Sequence, residues 1–123
     1  IGLNATVIPG DWRHGVRTNQ IEEVLKRDIN HKIKAVCVVH NETSTGVTSN
    51  IEATRAAIDE AKHPALLFVD TISSLASIDY HHDRWGVDVT ISGSQKGLML
   101  PPGLSFNAIS EKAITASKSN GLK

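Results

Sequence analysis

Short apolar runs alternate along this chain with segments whose apolar residues recur at helical spacing, and that alternation limits the fold more than any other feature. "IKAVCVVH" (33–40) and "PALLFVD" (64–70) are continuous apolar runs, of the kind found in parallel strands buried on both faces. "GVDVTIS" (86–92) and "LSFNAIS" (104–110) read as further strands, and "ATVIPG" near the start reads as another, ended by a Pro-Gly turn. Between them, "VRTNQIEEVLKRDI" puts Ile21, Val24 and Leu25 on one helical face with Thr18 as N-cap. "SNIEATRAAIDEAK" opens on a capping box of Ser49 and Glu52 and turns Ile51, Ala57, Ile58 and Ala61 inward. Strand and helix in turn specify an α/β fold: a mostly parallel sheet with flanking helices, joined by right-handed crossovers. The chain contains no repeat, low-complexity tract or linker.

At 123 residues the chain is one domain's worth of sequence, enough to bury a real core. Its 13 basic and 13 acidic side chains cancel, so no net field gathers nucleic acid or an anionic membrane, and small neutral or zwitterionic partners are expected. The single cysteine, Cys37, lies in "AVCVV" and reads as a small buried hydrophobe in a reducing, cytoplasmic setting. No apolar run approaches the roughly 18 residues of a membrane helix. The start in "IGLNATVIPG", without an initiator methionine, and the stop within the helix-like "ITASKSNGLK" lead to the expectation of a segment of a longer protein.

In open α/β sheets, ligands collect at the carboxyl ends of the strands. Here those ends read "HNETSTG" (40–46), "DTISS" (70–74) and "SGSQKG" (92–97). Polar loops follow strands in every α/β protein, and each loop alone reads as solvated surface. Together they supply a chemical kit. A lysine that has lost its proton captures an aldehyde as an imine. An aspartate fixed at a strand end holds a protonated pyridine nitrogen and turns that ring into an electron sink. Hydroxyls and a glutamine amide bind a phenolic oxygen and a phosphate. These are the needs of pyridoxal 5'-phosphate.

"VIPGDWRHGV", "HNETSTGV" and the long stretch from "LLFVDTISS" through "SGSQKGLMLPPGLSFNAIS" closely resemble class V aminotransferases, and within them the serine–glyoxylate group. The likeness covers essentially the whole chain, and E-T-S-T-G, V-D-x-x-S-S and S-G-S-Q-K-G are specific as a joint pattern. It implies the PLP-binding large domain of a type I fold enzyme, with residues 1–123 as its central segment. It implies that Lys96 binds the cofactor as an imine and shuttles the proton, and that Asp70 pairs with the pyridine nitrogen. Ile72 then lies beside the ring, Thr43 near the ring oxygen, and Gln95 near the cofactor at its phosphate. Lys96 stands alone because the imine needs one amine at one point, and the prolines of "LMLPPG" stiffen the loop that aims it. The implied substrates are an amino acid and a 2-oxo acid, serine and glyoxylate, in a homodimer. Alanine–glyoxylate or related transamination is the alternative, as is a non-catalytic α/β fragment.

The same family sets expectations about what lies elsewhere. Its members are several times longer, and use an upstream Gly-His phosphate loop, a ring-stacking aromatic and a later substrate-binding arginine. Trp12 and Trp85 do not match the stacking position. Two strands would precede this segment's sheet, one of them lying between the strand at 5–8 and that at 33–40, so the isolated 123 residues are expected to be inactive or poorly folded. Other motifs carry less. "HHD" (81–83) lacks third and fourth ligands at metal spacing, and no metal is expected. The sequons "NAT" and "NET" read as chance, and the phosphate-loop spacing G-x-x-x-x-G-K is absent. His40 reads as a structural histidine, and Arg84 with Asp88 as a surface ion pair.

Overall fold

The computed structural model describes residues 2–119. Its elements are α1 (Thr18–Arg27), β1 (Ala35–Val39), β2 (Asn41–Glu42), β3 (Val47–Thr48), α2 (Ile51–Glu60), β4 (Leu66–Asp70), β5 (Val89–Gly93), β6 (Ser105–Ile109) and α3 (Glu111–Ser119). The main sheet runs β1-β4-β5-β6, parallel across β1, β4 and β5, with β6 antiparallel at the edge. This is the mostly parallel α/β arrangement that the alternation of runs specifies. The pairs Val39↔Asp70 and Asp70↔Ile91 bring three strand ends to one edge.

Residues 5–8 form no strand. A strand persists only through ladder pairing, and this run has no ladder partner among the described residues; Val7 is left 82% exposed while Ile8 packs at the rim of the core.

One face of the sheet carries the core. Ile21 and Leu25 of α1 and Ile51 and Ile58 of α2 pack on Val38, Leu67 and Val69, with Val24 only half-buried. Each such fully buried side chain contributes about 1.5–3 kcal/mol. The opposite face is open among the described residues. Cys37, Val39 and Ile91 are exposed there, so β1 is covered on one face rather than two and Cys37 is not a buried hydrophobe.

Both helix starts differ from their sequence signals. The N-cap of α1 is Arg17, without a side-chain bond, and Thr18 is already helical. The N-cap of α2 is Asn50, whose Oδ1 accepts from the Ala53 N–H at 2.8 Å. Asn50 outcompetes the Ser49–Glu52 box because Ser49 is occupied elsewhere: its Oγ accepts from the Val16 N–H at 3.3 Å.

Arg84 and Asp88 form no surface pair either. Asp88 is 3% exposed and knits the opposite edge of the sheet. Its Oδ2 accepts from the Leu67 N–H at 2.9 Å and its Oδ1 from the Ser110 hydroxyl at 2.8 Å, with Arg55 and Lys112 at 3.6 and 3.7 Å. Asp88→Ala strands the buried Leu67 amide and takes from Arg55 and Lys112 a shared buried counter-charge, and is expected to lower stability by about 3–5 kcal/mol in urea denaturation. Asp88→Asn, which keeps an acceptor for Leu67, should lose clearly less.

Candidate active site

Three loops at the carboxyl edge carry the polar residues singled out in the sequence. The first, after β1, is the β2–β3 hairpin. Glu42 organises its tip: Oε1 accepts from the Ser44 N–H at 2.9 Å and the Ser44 hydroxyl at 2.7 Å, which holds the Glu42 carboxyl below the usual range. The Gly46 N–H closes the turn on the Glu42 carbonyl at 2.8 Å, with Gly46 in the left-handed region at φ +71°. Thr43 stands exposed on this tip.

The second loop follows β4. Asp70 ends the strand, exposed, with Val39 and Ile91 as its cross-strand neighbours. Its Oδ1 accepts from the Ile72 N–H at 2.8 Å, so the carboxylate is oriented by the turn that follows it. Thr71 locks that turn to β5, donating to the Ile91 carbonyl from both its N–H (2.8 Å) and its hydroxyl (3.0 Å). Asn41 and Ser73 tie the first loop to the second: Asn41 Nδ2 donates to Ser73 Oγ at 3.0 Å, and Ser73 Oγ to the Asn41 carbonyl at 2.7 Å.

The third loop follows β5 and carries Gln95 and Lys96, both exposed. A side chain at Gly93 would meet Gln95 Oε1 at 3.2 Å and Ile72 Cδ1 at 3.5 Å, so the second and third loops converge over that glycine. Asp70, Ile72 and Gln95 are thereby brought into one chain of contacts, with Lys96 next in sequence. Thr43 makes no side-chain hydrogen bond to them among the described residues; only its hairpin is tied to the second loop, by Asn41 and Ser73.

Ser94, rather than the prolines alone, fixes the lysine loop. Its N–H donates to the Leu104 carbonyl (3.1 Å), its carbonyl accepts from the Leu100 N–H (3.0 Å), and its hydroxyl donates to the Pro101 carbonyl (2.6 Å). Within this closed loop the Met99 N–H donates to the Lys96 carbonyl at 2.9 Å. Sequence reading passed over Ser94, because a buried, bonded serine and a solvated one look alike in a loop; its complete burial is what separates them.

Neighbouring histidines are occupied. His82 Nδ1 shares a hydrogen bond with Thr90 Oγ1 at 2.7 Å, and His81 Nε2 lies 3.1 Å from Asp79. A hollow of about 660 Å³ lies at the opposite edge beside Trp85, Gly86 and Lys112, where Arg55 is already engaged by Asp59 and Asp88. The carboxyl edge therefore presents an oriented carboxylate, an exposed amine on a closed loop, and an apolar-plus-amide cradle.

Comparison with known proteins identifies the family. The family profile described as Aminotransferase class-V matches residues 2–120. The chain is 56% identical over 118 residues to a serine–glyoxylate aminotransferase of Methylorubrum extorquens, covering 96% of this chain and 29% of that protein. It is 52% identical over 115 residues to an L-aspartate–glyoxylate aminotransferase of Paracoccus denitrificans, covering 94% and 29%. Among solved structures, an alanine–glyoxylate aminotransferase from Nostoc superposes with a TM-score of 0.82 at 33% identity, covering 94% of this chain and 29% of that one. The chain thus spans about 29% of the length of these relatives.

Proposed function

Because the chain belongs to the class-V aminotransferase family, we propose that the full-length protein is a glyoxylate-using transaminase whose amino donor is serine, giving hydroxypyruvate and glycine. The observation that carries this reading is the convergence of Asp70, Ile72, Gln95 and Lys96 on one sheet edge, in a chain 56% identical to a serine–glyoxylate aminotransferase.

The residues fit pyridoxal phosphate by the chemistry of their donor set. Asp70 offers an exposed, oriented carboxylate, Lys96 an exposed amine, and Ile72 with Gln95 a cradle that any side chain at Gly93 would fill. When bound, the cofactor supplies an aldehyde that an amine can capture and a protonated ring that draws electrons from the donor's α-carbon. Lys96 Nζ would hold that aldehyde and, when free, would serve as the base for the donor's α-proton. Asp70 would pair with the protonated ring nitrogen, and the Ile72 N–H on its Oδ1 orients the carboxylate for that pairing. Ile72 would lie against the ring, Thr43 would offer its hydroxyl to the ring oxygen, and the Gln95 amide would bind at the phosphate.

In this reading residues 1–123 are the central segment of the large domain, and a homodimer completes the site. A cytoplasmic setting goes with it, supported by the lone thiol; among the described residues no helix is long and apolar enough to cross a membrane.

The likeness to an L-aspartate–glyoxylate aminotransferase at 52% identity supports aspartate as a second candidate donor. Both are tested by supplying the full-length protein with glyoxylate and serine, alanine or aspartate, and measuring the 2-oxo acid formed. Serine should lead in kcat/KM by about tenfold or more. A lead of that size for aspartate or alanine overturns the assignment of serine.

A further inference from the structure

The turn after Asp70 is pinned from beneath by a residue whose side chain touches neither the Asp70 carboxylate nor Lys96. We propose that His40, through Ser74, is a positioning residue that holds the Thr71–Ile78 segment as a fixed spacer between the carboxylate and the amine of the site. The proposal rests on the reading of that site given above.

His40 closes β1 and is 2% exposed; Ser74 is fully buried. His40 Nδ1 and Ser74 Oγ share a hydrogen bond of 2.9 Å. The imidazole is caged by Tyr80 and Trp85, with ring centroids 5.2 and 6.1 Å away. Tyr80 is itself fixed by a 2.6 Å bond to Thr90. The His40 main chain is tied as firmly, its N–H donating to the Asp70 carbonyl at 2.9 Å and its carbonyl accepting from the Ser49 N–H at 2.8 Å. Burial lowers the pKa of the imidazole, with the charge of Asp79 opposing, which favours the neutral ring at neutral pH.

Ser74 is the hub of the spacer. Its N–H donates to the Thr71 carbonyl at 3.1 Å, and its own carbonyl accepts from the Ser77 and Ile78 N–H groups, both at 2.9 Å. At one end of the spacer stand Asp70 and Ile72. At the other, the Leu75 carbonyl and the Ser77 hydroxyl abut Gly97, the residue after Lys96. A shift of Ser74 is therefore felt at both ends. No other side-chain bond to Ser74 Oγ occurs among the described residues.

The test uses the full-length holoenzyme with Ser74→Ala, His40→Ala, the double variant and His40→Asn, whose amide can take the place of Nδ1. Cofactor affinity and the visible circular dichroism of the bound cofactor are read beside the melting temperature of the cofactor-free protein. Each alanine variant should weaken cofactor binding about tenfold, as expected for one buried hydrogen bond, and reduce the dichroic band. The double variant should be no worse than His40→Ala, and His40→Asn should restore most of the loss. Additive losses, or a lowered melting temperature with affinity and dichroism unchanged, would overturn the proposal. A wild-type protein that binds no cofactor at Lys96 overturns the reading of the site, and this proposal with it.

Discussion

Lys96→Ala is expected to lower transamination by the full-length protein about 10³-fold or more, while leaving its stability within about 0.5 kcal/mol. The two halves of this prediction come from one observation. Lys96 is exposed on a loop that Ser94 closes, so truncating it removes no packing and breaks no bond that holds the loop. All of the loss is then chemical: the site has no amine to hold the aldehyde or move the α-proton. Lys96→Arg sharpens the point, because it keeps a positive charge yet cannot form the imine, and it should be as inactive as alanine. The measurements are steady-state turnover and a thermal melt on the same samples. An arginine variant with a tenth of normal turnover would mean that the lysine acts by charge alone.

Gly97→Ala is expected to cost about 10²-fold in turnover together with roughly 1–3 kcal/mol of stability. A side chain at this position would overlap the Leu75 carbonyl and the Ser77 hydroxyl and lie 3.1 Å from the Ala76 carbonyl carbon. Two of these three contacts are backbone, which cannot swing aside. The backbone of residues 96–98 must therefore retreat, and Lys96 retreats with it. Gly10, which has nothing within 4 Å, supplies the control: Gly10→Ala should leave both readouts unchanged. Full activity in Gly97→Ala would show that the lysine loop is free to move.

The fold was legible where a pattern stated its own partner. Apolar runs at 33–40 and 64–70 demanded burial, and the helical stripes of Ile21, Leu25, Ile51 and Ile58 supplied the layer that gives it. It was illegible where the outcome depended on competition between neighbours. Ser49, with Glu52 as its box partner, and Asn50 can each cap α2, and the bond from Val16 to Ser49 decides for Asn50. "ATVI" has strand chemistry but no ladder to join, and Cys37 has core chemistry but sits on the uncovered face.

The site divides the same way. The loops that carry Asp70, Ile72, Thr43, Gln95 and Lys96 stood out because they follow strands in an α/β order, where ligands gather, and the resemblance to class V aminotransferases picked out those residues within them. What holds them did not stand out. His40 and Ser74 are 34 positions apart, and Asn41 and Ser73 are 32 apart. Nothing in a single sequence says that a serine in a polar loop is buried under a strand end rather than dissolved in water. Asp88 was misread for the same reason, as a surface charge when it is the polar rivet of the opposite edge.

The central claim is that this edge presents Lys96 to a pyridoxal aldehyde. It is tested most directly by incubating the full-length protein with pyridoxal phosphate, reducing with borohydride and mapping the modified peptide by mass spectrometry, with Lys96→Ala as control. The structure predicts one label, on the peptide containing "SGSQKG", that disappears in the variant. A label spread over other lysines, or one that survives Lys96→Ala, would contradict it.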